Sequence, residues 1–205
     1  MPVTTPSIKI DAVRSLGGEV ILHGDTYDDA YTRARELEQE HSLTFIHPLN
    51  DPAVIAGQGT IGRELLQQLE EDVQAIFVPI GGGLIFGIEP EDSAAMRDSL
   101  AAGEVITLDY VDIFADGVAV RRVGDETFRM CQELVDEIVT VDTDQICAGI
   151  RDIFEDTRSI VEPAGALAIA GVKKYIAANH IVGAAFVVIN CGANVNFDRL
   201  RHIAE

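Results

Sequence analysis

The chain has 205 residues, 47% of them hydrophobic, enough to bury the core of one large domain or two small ones. Its formal net charge of −19 argues against nucleic acid and anionic membranes as partners, because like charges repel across an interface. No apolar run is long enough to span a bilayer, and the segment after Met1 lacks the charged-then-apolar order of a secretory signal.

The three cysteines, Cys131, Cys147 and Cys191, are widely spaced along the chain. Their odd number and their spacing suit neither a disulfide framework nor a zinc site. We therefore expect a reduced, cytoplasmic setting and no bound metal.

The opening segment alternates helical and strand patterns. Apolar residues at helical spacing predict a helix over residues 8–16, with Thr5 as its N-cap and Pro6 at its first position. Gly17 and Gly18 end that helix. The pattern next predicts a strand, a second helix and a short strand at residues 19–22, 26–41 and 44–46.

Two prolines close together make residues 47–52 a loop and the best candidate for a domain boundary. Residues 53–69 then have a helical pattern in spite of their glycines, each of which costs about 1 kcal/mol relative to alanine. Glycines near the start of a helix are suited to a position where another backbone segment or a cofactor passes close by. Loose helix packing explains it equally well.

A β-branched and aromatic run at residues 75–78 predicts a buried strand, and Gly81, Gly82 and Gly83 follow it closely. Without Cβ atoms, consecutive glycines let several backbone N–H groups converge on one point, which is how proteins hold phosphate. A tight turn with no ligand is an equal alternative, since the sequence matches neither a dinucleotide-binding fingerprint nor a P-loop.

The rest of the chain continues the alternation of helices and strands. Helices are predicted at residues 94–102, 126–136, 144–159 and 162–178, and strands at 138–141 and 185–190. This order indicates an α/β layered fold, a mainly parallel sheet with helices on both faces. Ligands of such sheets gather at the carboxyl ends of strands, where the three glycines and the Cys191 loop both fall.

Several motifs are spread over the chain: Thr5-Pro6 with Lys9, and residues 55–60, 81–84, 89–90, 116–120, 124–127, 162–166 and 191–197. They occur in the order found in biosynthetic threonine dehydratases (threonine ammonia-lyases), a family that the chain resembles over nearly its whole length. That family consists of pyridoxal-phosphate enzymes of the tryptophan-synthase-β fold type. Its members deaminate L-threonine to 2-oxobutanoate and ammonia on the route to isoleucine.

The resemblance implies a site for pyridoxal phosphate. It assigns the amides of Gly81, Gly82, Gly83 and Leu84 to the phosphate, and Gly117, Glu162 and Cys191 to the ring, Cys191 at the pyridine nitrogen. A neutral thiol there would leave the ring a weaker electron sink, which favours elimination. Without the resemblance, Cys191 is better explained as a buried core thiol and Glu162 as a charge that favours a helix start.

The chain departs from the family pattern in three ways. The family's Schiff-base lysine lies in a motif upstream of the position of Met1, and none of Lys9, Lys173 and Lys174 occupies such a motif. The family's phosphate loop usually has four glycines, followed by a helix and a strand that are largely missing here near residues 84–88. The regulatory domain of many members would follow residue 205.

These departures predict an abridged catalytic region, with residues 1–48 the remnant of a smaller α/β domain and 49–205 the larger domain. We expect no catalytic residue in the chain and little or no activity on the family substrates, L-threonine and secondarily L-serine. Pyridoxal phosphate should bind weakly, at about millimolar affinity, or not at all. Two alternatives stay open: a non-catalytic phosphate or cofactor-binding module, and an abridged subunit that acts by homo-oligomerisation.

Overall fold

The computed structural model describes residues 1–48, 50–69, 73–79 and 86–204. The chain divides into two compact units, one formed by Met1–His47 with Asn194–Glu205 and the other by Pro48–Ala193. Within the described ranges, no helix combines the length and the apolar character that crossing a bilayer requires.

Four parallel strands form the sheet of the unit Pro48–Ala193. In chain order they are β1 (Ala75–Pro79), β2 (Phe86–Pro90), β3 (Glu137–Val141) and β4 (Phe186–Val188). They lie side by side in the order β3–β2–β1–β4. The parallel sheet confirms the predicted α/β fold, and strands are confirmed within residues 75–78, 138–141 and 185–190.

The described residues of both units also form helices. In chain order these are α1 (Ser7–Ser15), α2 (Tyr27–His41), α3 (Pro52–Gln58), α4 (Thr60–Gln68), α5 (Ala95–Ala102), α6 (Asp125–Leu134), α7 (Thr143–Thr157), α8 (Pro163–Asn179) and α9 (Arg199–Ala204). A 3-10 turn, Glu91–Ser93, follows β2. The helices predicted downstream of the three glycines are confirmed with bounds shifted by one to two residues.

Helix α8 covers one face of the sheet and contacts all four strands. The closest approach is at Gly171, where a Cβ atom would lie 2.4 Å from Cδ1 of the fully buried Ile88. Four aromatic rings continue this interface, with neighbouring centroids between 5.0 and 6.4 Å apart: Phe77, Phe86, Tyr175 and Phe186. The small residues of α8 therefore set its distance from the sheet.

The buried carboxylate of Glu89 ties β2 to the start of α5. Its Oε1 accepts the N–H of Met96 at 2.9 Å and its Oε2 accepts the N–H of Arg97 at 2.8 Å. These bonds satisfy two of the N–H groups that a helix start leaves without an intrahelical acceptor. Burial raises the pKa of Glu89 to about 7, although both N–H bonds and the Arg97 guanidinium act in the opposite direction.

Residues 19–22 and 44–46 do not form strands, so these two strand predictions are wrong. Ile21, Leu22 and Ile46 are exposed, and neither segment joins a sheet among the described residues. A β-favouring composition forms a strand only where a partner strand and a buried face are available.

The predicted start of the first helix is also wrong, whereas the second helix is confirmed. Helix α1 begins at Ser7, and Pro6 rather than Thr5 occupies the N-cap position. Helix α2 begins after Thr26, whose side-chain oxygen accepts the N–H of Asp29 in a capping box.

The single helix predicted over residues 53–69 is two helices, α3 and α4, which meet at Gly59. The carboxylate of Asp51 caps α3 by accepting the N–H groups of Ala53 and Val54 at 2.8 and 3.3 Å. No side chain of either helix is buried. Packing within the chain therefore contributes little to these helices, and the Asp51 cap stabilises α3 but not α4.

We expect Gly171→Ala to lower the free energy of unfolding by about 2 kcal/mol, because the new methyl group must displace the fully buried Ile88. Chemical denaturation measures this. The matched control is Gly57→Ala within α3, where no atom lies within 4 Å of the added Cβ, so helix propensity alone should raise stability by up to about 1 kcal/mol. Equal effects of the two changes would contradict the packing of α8 on Ile88.

Candidate functional site

The carboxyl ends of β1 and β4 lie side by side, because Ala75, Ile76 and Phe77 pair in register with residues of β4. Gly81, Gly82, Gly83 and Leu84, predicted to hold phosphate, come directly after β1 and lie outside the described residues. The segment after β4 is described. The N–H of Ile189 donates to the carbonyl oxygen of Phe77 at 3.0 Å and fixes the chain that leads to Cys191.

Glu162 immediately precedes α8, and its side chain is buried with an exposed fraction of 8%. Its backbone N–H donates to the carbonyl oxygen of Gly192 at 3.1 Å. A Cβ atom at Gly192 would lie 2.2 Å from Glu162 Oε1, and one at Gly117 would lie 3.3 Å from the same oxygen. The carboxylate therefore lies between two glycines from different loops.

The first turn of α8 packs directly on the loop that carries Cys191. A Cβ atom at Gly165 would lie 2.0 Å from the carbonyl oxygen of Cys191 and 2.7 Å from that of Gly192. Gly192 itself has a φ of +78°, a backbone conformation that side chains other than glycine rarely adopt. Both glycines are therefore required by the backbone geometry at this point.

The thiol of Cys191 is in an exposed residue, so it is not the buried core thiol that its residue type alone suggests. Its pKa is raised from the usual range, first by partial desolvation of the sulfur and second by the negative charge of Glu162. A raised pKa keeps the thiol protonated and uncharged at neutral pH.

The structure thus brings together the three predicted ring-side residues, Gly117, Glu162 and Cys191. Sequence reasoning did not single out Gly165 and Gly192, although both lie inside motifs that it used. The missing signal was conformational: a positive φ at Gly192 and a backbone contact at Gly165 are visible only once the two loops meet. Gly117, Gly192 and Cys191 are exposed, whereas Glu162 and Gly165 are buried. We call these five residues the ring-side wall.

Two of the three lysines lie far along α8 from this wall. Lys173 is ten residues beyond Pro163, about 15 Å at the rise of a helix, and its Nζ pairs with the carboxylate of Asp152. Lys174 Nζ donates to the carbonyl oxygen of Thr140 at 2.7 Å. Lys9 belongs to the unit that contains Met1–His47.

Comparison with protein families gives a match over residues 1–192 to the pyridoxal-phosphate dependent enzymes. The biosynthetic L-threonine dehydratase of Burkholderia multivorans is 50% identical over 225 residues, covering 100% of this chain and 44% of the relative. That of Escherichia coli is 49% identical over 222 residues, covering 100% of this chain and 43% of the relative. The chain thus spans less than half the length of the curated relatives it matches.

Two solved structures agree with this match. A processed threonine deaminase isoform from Solanum lycopersicum has a TM-score of 0.91 and 46% identity, with 99% of this chain and 64% of that chain covered. A second threonine deaminase, from T.th., has a TM-score of 0.86 and 33% identity, with 96% and 69% covered. The match to the Burkholderia relative runs over 225 positions against 205 residues here, so about 20 of its positions have no counterpart.

We expect Glu162→Gln to raise the rate at which iodoacetamide alkylates Cys191 about threefold at pH 7.5, because removal of the negative charge favours the thiolate. Mass spectrometry of the alkylated peptides measures the rate. Cys147, whose pKa is raised by burial and by Asp144, serves as an internal control and should not change. An unchanged Cys191 rate would contradict the proximity of the two side chains.

Proposed function

Because the chain belongs to the family of pyridoxal-phosphate dependent enzymes, we propose that it is an abridged catalytic region of threonine dehydratase, silent in catalysis by itself. The observation that carries this proposal is the ring-side wall, in which the Glu162 carboxylate lies between Gly117 and Gly192 with Cys191 beside it. The full-length relatives are named for their action on L-threonine. We propose the same substrate, with L-serine second, for the site to which these residues contribute.

The residues of the wall fit the ring of pyridoxal phosphate. Gly117 and Gly192 present exposed backbone beside the Glu162 carboxylate, and the protonated thiol of Cys191 would face the pyridine nitrogen. When bound, the cofactor supplies an electron sink for bond cleavage at an amino acid. The phosphate would be bound by the backbone N–H groups of Gly81, Gly82, Gly83 and Leu84.

Nucleophilic chemistry on this cofactor requires a lysine side chain at the wall. Lys173 and Lys174 contact Asp152 and Thr140 along α8, about 15 Å or more from Pro163 at the rise of a helix. This unit therefore offers no lysine at the wall to hold the cofactor covalently or to take a proton from the substrate. We therefore propose binding that is weak, at about millimolar affinity, without turnover.

The short connection between β1 and β2 supports the proposal that this catalytic region is abridged. Neighbouring parallel strands are normally joined by a crossover of about a dozen residues or more. Here only residues 80–85 separate the end of β1 from the start of β2, although the two strands pair in parallel. We propose that most of the positions without a counterpart in this chain belong to this crossover.

A non-catalytic cofactor-binding module and an abridged subunit that works by self-association are the alternative functions. The open ring-side wall favours the first, and the exposed apolar side chains of α4 favour the second. In either case we propose a cytoplasmic protein without nucleic-acid or membrane partners, consistent with its net charge of −19.

Borohydride reduction after mixing with pyridoxal phosphate tests the proposal. We expect no lysine to be labelled stoichiometrically, because neither Lys173 nor Lys174 lies at the wall, and peptide mapping checks this. Pyridoxine 5′-phosphate, which lacks the aldehyde, is the control ligand and should bind as weakly as pyridoxal phosphate. One lysine labelled to completion, together with much tighter binding of the aldehyde, would overturn the proposal.

A further inference from the structure

Helix α5 begins without a capping side chain of its own. Its N-cap residue, Ala94, has no side chain that could accept a hydrogen bond. The N–H groups of Met96 and Arg97 are instead bound by the carboxylate of Glu89 on β2, which uses one oxygen for each. The attachment of the start of α5 to the sheet therefore depends on one buried carboxylate.

The same helix encloses a thiol that the proposed function does not use. Cys131 on α6 is 3% exposed and packs in one cluster with Ala95 and Met96 of α5. Burial first and the charge of Glu89 second raise the pKa of this thiol to about 11. Two buried ionisable groups, one on β2 and one on α6, are thus held behind the start of α5.

The packing of α5 on α6 is incomplete on one side. A cleft of about 370 Å³ opens between the two helices and the start of β3, and Leu100, Cys131, Val135 and Ile138 line it. A helix with fewer buried contacts needs less free energy to separate from its neighbours than a fully packed one. Helix α5 is therefore suited to local opening, and the cleft gives a small reagent a path toward the sulfur of Cys131.

The groups that face Glu89 set the ionisation of its carboxylate. On α5 these are Arg97, whose Nε pairs with Asp98 Oδ1 at 2.7 Å, and Asp98 itself, and on α6 the group is Cys131. Burial has the largest effect and raises the pKa of Glu89 to about 7, against the two N–H bonds and Arg97. Opening of α5 would return this carboxylate to water, where a glutamate has a pKa of about 4.5.

We propose that α5 is a pH-dependent cover over Cys131, and that it opens with loss of the proton from Glu89 to water. The closed state keeps this proton up to about pH 7, whereas the open state loses it above about pH 4.5. The contribution of Glu89 to the stability of the closed state is therefore complete below pH 4.5 and is lost as the pH rises to 7. The equilibrium constant for opening rises by up to about tenfold per pH unit in this range and levels off above it.

Hydrogen exchange at single amides, followed by NMR without pyridoxal phosphate, tests the inference independently of the borohydride experiment. Base catalysis alone raises the exchange rate of a protected N–H about tenfold per pH unit. For Met96 and Arg97 we expect about a fiftyfold to hundredfold rise between pH 5.5 and 6.5, because opening becomes more favourable as well. The fully buried residues Leu167 and Ala168 of α8 should show only the tenfold rise.

Two variants test whether Glu89 is the group that titrates. Glu89→Gln keeps an oxygen that can accept one N–H but has no proton to lose, so the rise at Met96 and Arg97 should fall to about tenfold. Glu91→Gln is the matched control, because it removes the same charge from an exposed side chain on the turn after β2. It should keep the steep rise. Circular dichroism checks that both variants fold.

Alkylation of Cys131 by N-ethylmaleimide, measured by mass spectrometry, is a second readout of opening. The thiolate fraction of a free cysteine rises about tenfold per pH unit below pH 7.5, and Cys147 on α7 should follow it. We expect Cys131 to follow the steeper rise of Met96 and Arg97.

Three results would overturn the inference. One is a rise of only about tenfold at Met96 and Arg97 in the wild-type chain, which decides the question even if Glu89→Gln fails to fold. The second is an equally steep rise in α8, because the whole unit would then open at once. The third is a Glu89→Gln variant that folds and keeps the steep rise.

Discussion

The parallel pairing of β1 with both β2 and β4 is the constraint on which the rest of the unit Pro48–Ala193 depends. It aligns the carboxyl ends of β1, β2 and β4 at one end of the sheet. Glu89, which binds the start of α5, and the loop that carries Cys191 both lie at this end. Hydrogen bonding continues past β4 through Ile189 to Phe77, so the position of Cys191 follows from the register of the ladder. A slip of register would move the ring-side wall as well as the core.

Helix α8 links the core to the candidate site. Its middle sets the distance from the sheet through the contact of Gly171 with Ile88, and its start packs on the backbone of Cys191 and Gly192. Because Glu162 immediately precedes this helix, the position of its carboxylate is fixed by the packing of α8 on the sheet. Stability and site geometry are therefore coupled, which is why a cavity or clash under α8 should also disturb the wall.

Sequence patterns predicted most helices and the strands of the sheet, including helix α2, which buries no side chain, and failed at two strands whose residues are largely exposed. Residues 75–78 and 138–141 form strands because both have parallel partners, whereas residues 19–22, with a similar composition, pair with no strand in the part of the chain that the structure describes. Gly59 interrupts a helix that hydrophobic spacing alone makes continuous. The spacing of hydrophobic residues indicates which residues prefer burial, but it does not indicate whether a partner strand or a covering surface is present.

The candidate site could likewise be predicted from the sequence only in part. The resemblance of motifs pointed to Gly117, Glu162 and Cys191, which come together in space, but composition and spacing alone would have left Cys191 in the core. The contacts of Gly165 and the positive φ of Gly192 depend on how two loops meet, and no local pattern encodes them.

The most direct test of the account is an assay of 2-oxobutanoate formation from L-threonine by the purified chain with added pyridoxal phosphate. We expect no product above that formed by free pyridoxal phosphate, since Lys173 and Lys174 contact Asp152 and Thr140 far along α8 from the wall. Sustained turnover that is lost when Lys9, Lys173 and Lys174 are replaced by arginine would contradict it.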